Sequence, residues 1–140
     1  VLNSFPFVFP VDVRFRDLDA QGHVNNAVYL TYVESARIAW WQEVTGRPWA
    51  ETGMILARTE IDYRSPAVYG DRLEVGLRCA SLGRSSFVME FRVEERGSGR
   101  LVAEGRKVLV HYDYAARRSI PLPPELRARI RARDPGVREE

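Results

Sequence analysis

The stretch "RDLDAQGHVNNAVYL", Arg16 to Leu30, places two carboxylates, one of the chain's two histidines, a glycine and an Asn pair directly before a long run of periodic apolar residues. A carboxylate in such a place can activate water as a general base or attack an electrophile itself. The start of the following helix presents unpaired backbone N–H groups, which donate to capping Asn side-chain oxygens or to a substrate oxygen that develops negative charge. A lone aspartate before a helix is more often a turn or capping residue. Both readings of Asp19 stand at this point, and Asp17, two residues earlier, reads as a structural loop group. His23 reads as a supporting residue that positions substrate or water, and Asn25 and Asn26 as caps compatible with an oxyanion site.

The elements that must position these groups follow from periodicity. Val11, Val13 and Phe15 alternate with Asp12, Arg14 and Arg16, predicting a first strand. From Ala27 to Thr45, Tyr29, Val33, Ala36, Trp40 and Val44 recur every three or four positions, and Leu30, Tyr32, Ile38 and Trp41 widen the stripe. This predicts a helix wrapped on most sides, begun by Asn25 or Asn26 and ended by Gly46. Strands are predicted around Ile55–Tyr63, Leu73–Cys79 and Phe87–Val93, the last two as a hairpin, with a fifth over Leu101–Tyr112. The fifth shifts its apolar parity from Leu101 and Ala103 to Val108, Val110 and Tyr112, which predicts a bulge near Gly105 to Lys107. A short helix from about Pro124 closes the chain. One helix followed by a twisted meander predicts an α+β domain whose sheet curls around the helix.

Length and composition bound the rest. The 140 residues, with a net charge of +2, predict a single domain spanning 1–140 that folds without staples. Arginines are scattered among acids, so no nucleic-acid partner is expected, and the basic C-terminal run reads as a solvated helix with no assigned function. A single cysteine, Cys79, excludes an internal disulfide and reads as a buried inert thiol; with two histidines it offers no zinc spacing, so no metal is expected. Neither a signal peptide nor a membrane-length apolar run is present in these residues, and a cytoplasmic protein is expected.

The D-x-D-x-x-G-H-V-N-N block, the helix that follows it, "IDYRSPAVYGDRLEV" and "SLGRSSF" resemble the hotdog-fold acyl-CoA thioesterases, in the branch of 4-hydroxybenzoyl-CoA thioesterase. The resemblance covers roughly residues 7–123, with the C-terminal helix at about 124–133. It implies a five-stranded antiparallel sheet wrapped around a long central helix, hydrolysis of an acyl-CoA to a carboxylic acid and free coenzyme A, and a homotetramer or homodimer with sites at subunit interfaces. It assigns Asp19 as the catalytic carboxylate and the backbone N–H at about Asn26 as the oxyanion donor, and it requires no resident cofactor, coenzyme A being part of the substrate. Because a thiol has a pKa of about 8.5, the leaving group needs little protonation, and a carboxylate with a helix N-terminus is sufficient machinery. Whether Asp19 acts as base or nucleophile stays open.

Glu34 is the rival carboxylate. It lies about 12 Å along the helix from Asn26, too far to share one carbonyl within a subunit, and a partner's Glu34 stays open. Arg84, Ser85 and Ser86, in the turn between the third and fourth strands, and Arg58 are candidates for the coenzyme A phosphates. Trp49 and Met54 are candidates for a pocket wall. Two other readings of the same scaffold are a non-catalytic acyl-CoA-sensing module, against which Asp19 counts, and a hydratase or dehydratase, whose residue spacing His23 and Asp19 lack.

Overall fold

A computed structural model describes residues 2–140. Helix α1 runs from Val28 to Thr45 and α2 from Pro124 to Arg133. The strands are β1 (Phe7–Asp12), β2 (Met54–Tyr63), β3 (Arg72–Leu82), β4 (Ser86–Glu95) and β5 (Leu101–Asp113), with two-residue strands β6 (Arg118–Ser119) and β7 (Arg138–Glu139). The main sheet is antiparallel in the order β1-β3-β4-β5-β2, so β1 and β2 are its edges; β6 pairs with the end of β5 and β7 runs parallel to β3.

The sheet curls around α1. Tyr29, Tyr32, Val33, Ala36, Trp40, Trp41 and Val44 are buried on the helix, and Leu73, Val75, Leu77, Phe87, Met89, Phe91 and Val93 on the facing strands. Burying a large apolar side chain contributes about 1.5–3 kcal/mol, so this interface is the main source of stability. Trp40, fully buried, meets Phe87 with ring centroids 6.0 Å apart. The helix ends where Gly46 adopts φ 70° and donates its N–H to the Gln42 carbonyl at 2.8 Å, a left-handed cap that glycine accepts without strain.

Several expectations need correction. The first strand lies earlier, because Pro10 is tolerated on an edge strand. Past Val13 the Asp17 carboxylate accepts the Arg14 N–H at 3.0 Å and turns the chain into a 3-10 turn, Phe15–Asp17. Phe15 is thereby 78% exposed, against the ring of Tyr69. The fifth strand has no bulge at Gly105 to Lys107: it pairs in continuous register with both neighbours there. The irregularities fall at Leu56/Arg58 in β2, Cys79/Ser81 in β3 and across Val93/Glu94. Val108 and Val110 face outward as half-buried residues, while Lys107 and Leu109 point in. Helix α1 is wrapped on most sides as expected, with Ile38 and Glu34 on its open side. The C-terminal run is more than a solvated helix: Leu126 and Ile130 are buried, and Arg127 donates to the Gly83 carbonyl at 2.6 Å.

The outer face of the sheet carries an ion-pair ladder, with Arg78–Glu90 at 2.9 Å and Arg92–Glu104 at 3.6 Å. The N-terminal 3-10 turn, Leu2–Ser4, covers part of that face. It sits over Gly76, where an added Cβ would lie 2.6 Å from Leu2 Cδ2. Among the described residues no helix is long and apolar enough to cross a membrane.

Candidate active site

The loop between the 3-10 turn and α1 is held by short-range geometry. Leu18 and Val24 form an antiparallel bridge, His23 bridges Val68, and the Asp19 N–H donates to the His23 carbonyl at 2.7 Å. Gly22 turns the chain at φ 78°, a conformation that strains other residues. Inside this loop Asp19 Oδ1 accepts the N–H of Gln21 at 2.8 Å and of His23 at 3.1 Å. Asp19 is thus a turn aspartate, as one reading had it, yet Oδ2 takes part in neither bond.

Asp17 is a different kind of group. Only 3% exposed, it accepts the Tyr32 hydroxyl at 2.6 Å and the Arg14 guanidinium at 3.3 Å. Burial raises its pKa, but the Tyr32 and Arg14 hydrogen bonds outweigh that and hold the carboxyl below its ordinary range. It ties the 3-10 turn to α1, a structural role.

Asn25 organises the start of the helix. Its N–H donates to the Asp17 carbonyl at 2.9 Å, its carbonyl accepts the Val28 N–H and its Oδ1 the Ala27 N–H, each at 2.9 Å. Neither Asn is the geometric N-cap, which is Ala27 without a side-chain bond. Asn25 instead accepts the N–H of that cap residue and of Val28 after it, and the Asn26 N–H has no acceptor among the described residues.

Asp19, Gln21, His23, Asn26, Tyr29 and Tyr63 line one cleft of about 360 Å³, with Val24 and Arg64 to Pro66. The structure therefore brings together Asp19, His23 and Asn26, while Asn25 is exposed and does not line the cleft. Sequence reasoning missed Tyr63 and Tyr29. The Tyr63 hydroxyl donates to the Asn26 carbonyl at 3.0 Å, pinning the end of β2 to the first turn of α1. Its ring lies 5.6 Å from that of Tyr29, whose hydroxyl accepts the Ala67 N–H at 3.2 Å. Burial raises the Tyr29 phenol and keeps it neutral. The only signal for Tyr63 was its place at the end of "IDY" before Ser65-Pro66.

Other candidates lie elsewhere. Glu34 is exposed on α1 and does not line the cleft. Arg84, Ser85 and Ser86 occupy the β3–β4 turn, beside His111, whose N–H donates to the Ser85 carbonyl at 2.8 Å. That is the opposite end of the sheet from Tyr63, roughly 26 Å along β5 at about 3.3 Å per residue. Arg58 is mid-strand on edge β2 and pairs with Glu60. Trp49 stacks edge-on against Trp41 at 5.0 Å, and Met54 lines a separate cavity at the C-terminal end of α1. Cys79 is buried, and burial followed by the nearby Asp134 pushes its thiol far up, so it stays inert.

Residues 13–130 match the model of the thioesterase-like superfamily. A thioesterase from Thermus thermophilus, crystallised with coenzyme A and zinc, is 46% identical, with a TM-score of 0.86 over 94% of this chain and 96% of that one. The 1,4-dihydroxy-2-naphthoyl-CoA hydrolase of Synechococcus elongatus is 31% identical over 81% of this chain and 87% of its own length. The long-chain acyl-CoA thioesterase FadM of Escherichia coli is 28% identical over 86% of this chain and 93% of its own.

Proposed function

The chain belongs to the thioesterase-like superfamily and is a thioester hydrolase of hotdog fold, and from that premise we propose that it cleaves acyl-CoA at the cleft where Asp19 and the start of α1 meet. The observation that carries the reading is the pairing in one cleft of a carboxylate oxygen outside the loop's own hydrogen bonds and an unpaired backbone N–H at Asn26. The thioester carbonyl oxygen accepts the Asn26 N–H, which holds the negative charge that develops there. Asp19 Oδ2 takes a proton from water as the water attacks, or attacks the carbonyl itself to give a mixed anhydride that water then opens. Either way the C–S bond breaks, and coenzyme A leaves as a thiolate and takes a proton from solvent. His23 and Tyr63 hold the loop and the helix start in register.

The working unit in this reading is a homodimer or homotetramer. Edge strand β2 and its exposed Leu56 support it, as does the separation of the Arg84–Ser86 turn from the cleft of its own chain, which a second copy can close. Thiol release from a panel of acyl-CoAs, followed colorimetrically, tests hydrolysis; no turnover of any ester would overturn it. Light scattering at micromolar concentration tests assembly, and a mass near 16 kDa would overturn that part.

A further inference from the structure

Two cations stand inside the curl of the sheet, where neighbouring inward positions are apolar. Arg37 on α1 is 4% exposed and Lys107 on β5 is 2% exposed. The Arg37 guanidinium lies 4.6 Å from the Trp49 ring centroid, and its Nε and Nη1 are buried without an acceptor among the described residues. Lys107 likewise forms no ion pair among them. Glu34, one turn before Arg37 and exposed, is the carboxylate whose charge reaches both. Two buried cations against one exposed carboxylate leave a positive excess in a low-dielectric place, and orphaned donors are costly there.

Their position gives the excess a meaning. Among the strands of the sheet, helix α1 packs most closely against β3 and β1. Ile61 and Thr59 share a strand face with Tyr63 and are half-buried; Leu30 and Glu34 follow Asn26 at i, i+4 spacing on α1. Lys107 stands opposite Thr59 in the β2–β5 register. Leu30, Ile61 and Thr59 thus mark a line of half-buried positions from the cleft toward the cations. Thr59 is four residues from Tyr63 and Arg37 eleven from Asn26, which sets the cations about 13–16 Å from the cleft.

We propose that a groove along this line takes the acyl part of the substrate and that Arg37 and Lys107 receive a carboxylate at its far end, making coenzyme A thioesters of dicarboxylic acids the preferred class. The proposal rests on thioester hydrolysis at Asp19. Arg37 offers a planar fork of donors that fits a carboxylate, Lys107 adds a point charge, and Leu30 and Ile61 suit the methylenes between.

The test compares kcat/KM for a dicarboxylic acid's mono-CoA ester and the monocarboxylic ester of equal carbon number. Wild type is expected to favour the former at least tenfold, and Lys107→Met to lose at least tenfold more on it than on the neutral ester. A wild type that favours the neutral ester, or a variant that loses equally on both, overturns the proposal. Calorimetric titration of the free dicarboxylate into Asp19→Asn protein reads the site without turnover. Binding that disappears when Lys107→Met is added supports the anion site, and an absence of binding in Asp19→Asn protein overturns it. Binding that persists while every ester goes unhydrolysed upholds the anion site and fells the hydrolase reading alone.

Discussion

Replacing Lys107 with Met tests whether the buried cation is unpaired in solution. Desolvation first, and then the charge of Arg37, push its ammonium from 10.5 down to about 8, with Glu34 opposing. A fall of that size corresponds to roughly 3 kcal/mol, and Lys107 is too buried for solvent to discount it much. The unfolded chain binds this proton more tightly than the native state, so the penalty is complete below about pH 8 and is relieved as pH climbs toward 10.5. Met has a similar volume and no charge. Lys107→Met is therefore expected to be more stable than wild type by up to roughly 3 kcal/mol at pH 7, with the gain shrinking between pH 8 and 10.5. Cys79, Tyr29 and Tyr32 also have raised values, and each lowers stability once its unfolded counterpart ionises. Subtracting wild type from variant at each pH removes their contribution. Urea unfolding followed by tryptophan fluorescence gives the difference. A variant less stable than wild type at pH 7, or a difference flat across pH, would mean that Lys107 already has a partner, and the unfilled anion site would fall with it.

Tyr63→Phe removes the hydrogen bond to the Asn26 carbonyl, worth about 1 kcal/mol. It is expected to lower kcat about fivefold if, as proposed, that bond holds the oxyanion donor in place; an unchanged kcat would show that the bond positions nothing. Arg84→Ala is expected to raise KM for CoA esters more than for a short thioester without the nucleotide, and equal effects would remove Arg84 from the nucleotide site. Gly22→Ala meets no neighbouring atom but must hold φ 78°. It is expected to lose about 1 kcal/mol and to lower Tm, which thermal unfolding checks.

What was legible in the sequence had local periodicity. Tyr29 to Val44 and Gly46 announce α1, the Phe87 to Val93 alternation announces β4, and Pro124 marks the start of α2, because each pattern reports a face that must be buried. The turn at Phe15 was hidden: its alternation continues that of β1, and only the bond between the Asp17 carboxylate and the Arg14 N–H breaks it. Lys107 was misplaced for the same kind of reason, since a charged residue in a strand is counted as outward-facing, and Val108 and Val110 beside it reinforced the wrong parity. Asp19, His23 and Asn26 stand close together in the chain, so that they line one cleft could be read from local sequence. Tyr63 reaches Asn26 only through the sheet, 37 residues away in sequence, and no spacing reveals that contact.

Hydrolysis at this cleft stands or falls with the Asp19 carboxylate. Asp19→Asn retains an oxygen that can accept the Gln21 and His23 N–H groups, so the loop and the fold are expected to persist, while the basic and nucleophilic oxygen is lost. With the best acyl-CoA identified by thiol release, kcat is expected to fall about 100-fold or more at unchanged Tm, with Glu34→Gln costing less. An Asp19→Asn protein that turns over near the wild-type rate, beside a folded Glu34→Gln protein that is dead, would take the catalytic role from Asp19 and give it to Glu34.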